Sequence, residues 1–168
     1  MRADAYPIEK IFDTPIQYRV PLFQRPYVWE RNIEDPSEDR LTPFWEDVRD
    51  TVARFVKRQD LLAQGVPEEE LTAFADHFFG AVVLGKLDKS FGGIPHQEVI
   101  DGQQRFTTAQ LLVAAAQRLA EKHGLATTAE ALRDLRLNAA KHDPKPSELH
   151  KLWPTNVNRQ AYEAVMYP

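Results

Sequence analysis

The segment that most limits what this chain can fold into runs from Gln97 to Ala120. Gln97-Glu98-Val99-Ile100 is a short strand-forming run, and Leu111, Leu112, Ala115, Leu119 and Ala120 then recur at helical spacing. Asp101-Gly102-Gln103-Gln104-Arg105 joins the two, so a strand must become a helix through a tight, glycine-containing turn. Gly124 is placed to stop that helix. Such a turn aims several backbone N–H groups at one point, and a helix N-terminus carries roughly +0.5 elementary charge, which favours phosphate. Asp101 can cap the helix or hold a metal or water. Gln103 and Gln104 both donate and accept, and Arg105 offers a bidentate grip on phosphate oxygens. Thr107 and Thr108 add hydroxyls on the first turn. The same residues also suit a plain capped turn whose polar groups satisfy nearby backbone, and residue types alone leave both readings open.

Ahead of this segment, Ile8 to Leu22 alternates around Ile11, Ile16, Tyr18 and Val20, which predicts a short strand ending near Pro21. Phe23-Gln24-Arg25-Pro26-Tyr27-Val28-Trp29 follows, dense in aromatics. If extended, it puts Tyr27 and Trp29 on one face beside Arg25 and Arg31, a surface able to stack bases and grip phosphates. Equally, its rings can anchor a loop on the core. Residues 30–43 read as an acidic surface loop. Phe44, Trp45, Val48, Val52, Phe55 and Val56 then predict a helix with Thr42 as cap and Pro43 in its first turn, broken by Gly65-Val66-Pro67. Glu68-Glu69-Glu70 reads as a solvated acidic helix start or turn. His77 to Leu84 is expected to be a buried strand with His77 at its polar end, where it could serve a strand-end site. Gly92-Gly93 marks a turn, and Thr127 or Thr128 should cap a helix carrying Leu132, Leu135 and Leu137. Pro144 and Pro146 mark a break, Leu149–Trp153 a short strand, and Asn156 the start of a last helix. Ending at Tyr167-Pro168 without a closing element, the chain reads as a fragment of a longer protein.

Composition removes several function classes. There is no cysteine among 168 residues, so disulfides, thiolate zinc, iron–sulfur clusters and a cysteine nucleophile are excluded. The five histidines show no zinc spacing, and neither a P-loop nor a nucleophile elbow occurs. No stretch approaches a membrane span and no signal peptide opens the chain, so a cytoplasmic protein is expected. Residues 1–100 carry 12 Lys and Arg against 18 Asp and Glu, whereas residues 101–168 carry 9 against 7. DNA contact would need a focused basic patch rather than bulk attraction.

Four blocks in order carry a family resemblance: Phe23–Trp29, Phe44-Trp45-Glu46-Asp47, His77–Val83 and Ile100–Thr108, with a weaker echo in Leu152-Trp153-Pro154-Thr155 and Asn158-Arg159. They resemble the N-terminal domain of GmrSD-type, modification-dependent restriction proteins. The resemblance implies an α/β (α+β) fold of ParB/sulfiredoxin-like type, a small mixed sheet flanked by helices. Residues 1–125 would form a nucleotide- and DNA-sensing domain, and 126–168 a helical extension leading to a further C-terminal part. It also implies nucleoside triphosphate binding or hydrolysis, GTP favoured and Mg²⁺ expected, coupled to recognition of modified double-stranded DNA such as phosphorothioate DNA. An HNH-type nuclease domain, in cis or on a partner chain, would then cut; this chain carries no such cluster. Asp101, Gln104 and Arg105 become the expected catalytic residues. Gly102, Gln103, Thr107 and Thr108 become the nucleotide-binding residues, and Gln24, Arg25, Tyr27 and Trp29 sense the modification, with His77 accessory. Rival expectations are a DNA-reading module without chemistry and a protein-interaction domain of a defence complex. No membrane partner is expected, and whether the assembly is a homodimer is left open.

Overall fold

The computed structural model describes residues 4–29, 32, 34–74, 77–86, 93–138 and 148–166. The chain divides into two compact units, Met1–Tyr27 with Gly80–Pro168, and Val28–Phe79.

The first unit is α+β. Its sheet takes the order β2-β3-β1-β4, from β1 (Gln17–Arg19), β2 (Val83–Leu84), β3 (His96–Asp101) and β4 (Leu152–Trp153). β1 runs parallel to both β3 and β4, with Tyr18 opposite Gln97 on one side and Leu152 on the other, while β2 lies antiparallel to β3. The sheet is therefore mixed, as the resemblance implies. Helix α3 (Gln103–Lys122) leaves directly from β3. Its Phe106 is 1% exposed and packs against two other buried rings, tilted on Phe12 at 5.1 Å and edge-to-face with Tyr18 at 5.2 Å. Val99 and Leu152 complete this core. Gly124, at φ +70°, ends α3 as expected, with the Leu125 N–H donating to the Ala120 carbonyl.

Three local expectations give way. Ile8–Phe12 forms a short helix, α1, not the start of a strand, because Phe12 must swing inward onto Phe106 and Tyr18. In the expected strand at His77–Leu84 only Val83–Leu84 is extended in the sheet, and Phe78 is 79% exposed. Helix α4 (Ala126–Asp134) follows the α3 turn so closely that it opens after Leu125 with no side-chain cap from Thr127 or Thr128. The break at Pro144 and Pro146 and residue 92 of the glycine turn lie outside the described residues.

Helix α5 (Asn156–Met166) packs Tyr162 and Met166 into the same unit. Buried Arg136 ties α3 to α5: its guanidinium donates to Gln117 Oε1 at 2.7 and 2.9 Å and to the Met166 carbonyl at 2.9 Å. Buried His150 lies against Trp153 and Tyr162. Burial, reinforced by the nearby Arg136 charge, holds its imidazole down at about 4.

The second unit is built on α2 (Leu41–Ala63), at 23 residues about 34 Å long. The predicted helix is there, with Pro43 in its first turn, but Asp39 rather than Thr42 closes its N-terminus. Asp39 Oδ1 accepts the N–H groups of Leu41 and Thr42 at 3.0 and 2.9 Å. Gly65, at φ +84°, ends it, and a 3-10 segment follows at Glu68–Phe74, where Glu68 pairs with Arg58. Trp29, Phe44 and Phe79 form a ring cluster, with centroids 6.1 and 5.7 Å apart along the series.

Candidate functional site

At the turn between β3 and α3, Gly102 adopts φ +87°. A Cβ there would lie 2.9 Å from Val82 Cγ2 and 3.1 Å from the Ala81 carbonyl oxygen. Glycine is required twice over, by its backbone angle and by the close approach of the Ala81-Val82 segment leading into β2. The turn places Asp101 at the exposed end of the strand and buries Gln103 and Gln104 on the first turn of the helix. Asp101 does not cap α3.

Both glutamines reach back to the loop that begins at Gln24. Gln103 Nε2 donates to the Arg25 carbonyl at 2.7 Å, and Gln104 Nε2 to the Pro26 carbonyl at 3.0 Å. Gln24 Nε2 returns the contact, donating to the Ile100 carbonyl at 2.8 Å. Thr108 donates its hydroxyl proton to the Gln104 carbonyl at 2.8 Å, so the 3.0 Å bond to Tyr27 must run from the Tyr27 phenol to Thr108 Oγ1. Burial pushes the Tyr27 phenol pKa up. Two motifs separated by some eighty positions thus lock together through paired side-chain amides. The side-chain N–H donors of both glutamines serve backbone carbonyls of the loop.

Arg105 points to another side of the turn. Its Nη2 donates to the Ala81 carbonyl at 2.7 Å and lies 3.9 Å from the Asp101 carboxylate. Gly80, at φ +106°, presses on the same side chain: a Cβ there would lie 3.1 Å from Arg105 Cδ. The Arg105 Nε is buried and has no hydrogen-bond partner among the described residues.

Sequence reasoning left one contributor to the site without a role. Asn158 of α5 accepts the Tyr27 N–H on Oδ1 at 2.9 Å, with the Thr155 hydroxyl at 3.3 Å from the same oxygen. Pro154, Thr155 and Asn158 line a crevice with Val20, Arg25, Tyr27, Gln103, Gln104 and Thr107. Thr107 is only 7% exposed. The free volume of the crevice is about 10 Å³, room for one water at most. Only the echo in Leu152–Thr155 and Asn158-Arg159 marked this wall in the sequence.

Trp29 and His77 belong to the second unit. Trp29 packs on Phe44, and His77 lies 3.9 Å from Asp47 at a shallow surface recess of about 460 Å³ with Asp50, Ala53 and Arg54. No group of three or more metal-ligating side chains occurs among the described residues, and no helix among them is long and apolar enough to cross a membrane.

The geometry defines an α+β domain with a small mixed sheet whose glycine turn is clasped by an aromatic loop. Residues 8–167 match the family model of the GmrSD restriction endonuclease N-terminal domain, and the chain belongs to that family. No curated protein matches it. Membership makes this a restriction-related defence protein, with DNA as the implied target and a nuclease domain as the implied partner.

Proposed function

We propose that this chain is the sensor of a DNA-modification-dependent restriction protein, coupling nucleoside triphosphate binding or hydrolysis, GTP favoured, to recognition of modified DNA such as phosphorothioate DNA, and so governing an HNH-type nuclease. One observation carries the reading: the Asp101–Arg105 turn and the Gln24–Tyr27 loop, far apart in sequence, are bonded to each other. A ligand at either one is felt by the other. The first turn of α3 offers partial positive charge, and Arg105 is braced beside it by Ala81 and Asp101. Asp101 is an exposed carboxylate at the same turn, which suits Mg²⁺ carried in on nucleotide phosphates and steadied by one protein ligand. Mg²⁺ would supply charge neutralisation there. Arg105 would add to it, and Gln103 and Gln104 would relay occupancy to the loop through their bonds to Arg25 and Pro26.

A second reading, a non-catalytic modified-DNA-binding module, has its own support. The glutamine amides are committed to loop carbonyls, and a crevice of about 10 Å³ is far too small for a nucleotide unless the loop moves. Phosphate release from a panel of nucleoside triphosphates with Mg²⁺, without DNA and with plain or modified duplex, separates the two. Turnover that rises with one modified duplex and falls at least tenfold in Arg105→Ala, with circular dichroism unchanged, is the expected result. Salt-dependent DNA binding with no turnover under any condition would transfer the assignment to the binding module.

A further inference from the structure

Helix α2 buries no residue, although much of one side is apolar. Trp45, Val52, Phe55 and Val56 are each more than half exposed. Leu41, Trp45, Val48, Val52, Phe55, Gln59 and Leu62 recur at alternating spacings of four and three, the register of a seam between paired helices, with Gln59 its one polar member. Single exposed apolar residues need no explanation, but three large ones on one stripe, with Val56 beside it, do.

Charge selects what covers the stripe. Residues 41–50 hold Glu46, Asp47 and Asp50 against Arg49, a net −2; residues 51–63 hold Arg54, Lys57 and Arg58 against Asp60, a net +2. A second α2 laid antiparallel sets the acidic half of each helix along the basic half of the other, and opposes the two helix dipoles. A parallel partner would set like charges side by side.

We propose that the chain forms a two-fold homodimer through α2, the helices antiparallel and crossing near Val52, the midpoint of the stripe. This rests on no assumption about nucleotide or DNA. The contact is self-complementary, each copy offering the same surface. Near the axis Val52 faces its own counterpart. Trp45 lies about 21 Å along the helix from its counterpart, since each is seven residues from the axis at 1.5 Å per residue.

Sedimentation of the full chain at tens of micromolar, together with single-cysteine cross-linking, tests this. Because the chain has no cysteine of its own, the introduced thiol is the only one present. The wild-type chain should sediment as a dimer and Phe55→Glu as a monomer with unchanged circular dichroism, which is reasonable for a side chain 60% exposed. Val52→Cys should form a disulfide dimer under mild oxidation, whereas Trp45→Cys should not, because bridged Cα atoms must lie within about 7 Å. A monomeric wild-type chain would overturn the proposal. So would a dimer that Phe55→Glu leaves intact, or cross-linking of Trp45→Cys as efficient as that of Val52→Cys, which is the parallel result.

Discussion

Gly102 and Gly124 both sit at positive φ, yet replacing them should not cost the same. At Gly124 nothing lies within 4 Å of an added Cβ, so alanine there meets only the left-handed backbone penalty, about 1–2 kcal/mol. At Gly102 the same penalty is joined by an overlap with Val82 and with the Ala81 carbonyl. Gly102→Ala should therefore lower the melting temperature by roughly twice as much as Gly124→Ala, on the order of 4–16 °C against 2–8 °C by thermal circular dichroism. Equal shifts would mean that the Ala81-Val82 segment yields to the new methyl group. Gly102 was legible in the sequence as the hinge of a strand-to-helix turn. Its close approach to Val82 was not, since that depends on which strand comes to lie beside β3.

Among the elements, those with a long periodic signal were legible. Helix α3 and strand β3 stand where their apolar spacing puts them, and α5 opens at Asn156 as expected. Short elements were decided by tertiary packing: five residues of α1 hold too little pattern to outweigh the place waiting for Phe12 beside Phe106. The clasp on the site was hidden for a related reason. Gln103, Gln104 and Asn158 all engage backbone groups of one distant loop, and backbone partners leave no trace in side-chain patterns. The role of α5 in that clasp can be measured at one proton. Asn158→Leu removes the acceptor for the Tyr27 N–H, worth about 1 kcal/mol, so amide exchange at Tyr27 should accelerate by roughly fivefold. Asn158→Asp keeps an acceptor oxygen and should retain protection; equal loss in both variants would show that the bond does not hold the loop.

For the whole molecule, buried His150 links folding to acidity. Its folded-state pKa is held at about 4 against 6.5 for a free imidazole, so between those values the unfolded chain binds the extra proton and the folded chain does not. This contribution is fully present above about pH 6.5 and is lost as pH falls toward 4, on the order of 3 kcal/mol across the interval. Urea unfolding measured from pH 7 to pH 4.5 should show that decline, and His150→Gln should flatten it. A variant whose slope matches the wild type would place the acid sensitivity elsewhere.

The order of strands carries a consequence for how the chain comes to be folded. β1 lies between its two parallel partners, yet it is made first, and the partners that flank it arrive about 80 and 135 residues later. Parallel neighbours so far along the chain cannot pair by local zippering, and each closure carries a large loop entropy. During synthesis Gln17–Arg19 would remain unpaired on both edges until β3 emerges, and on one edge until Leu152 does. Folding should therefore be late and all at once, its slow step being the capture of the first strand by the last.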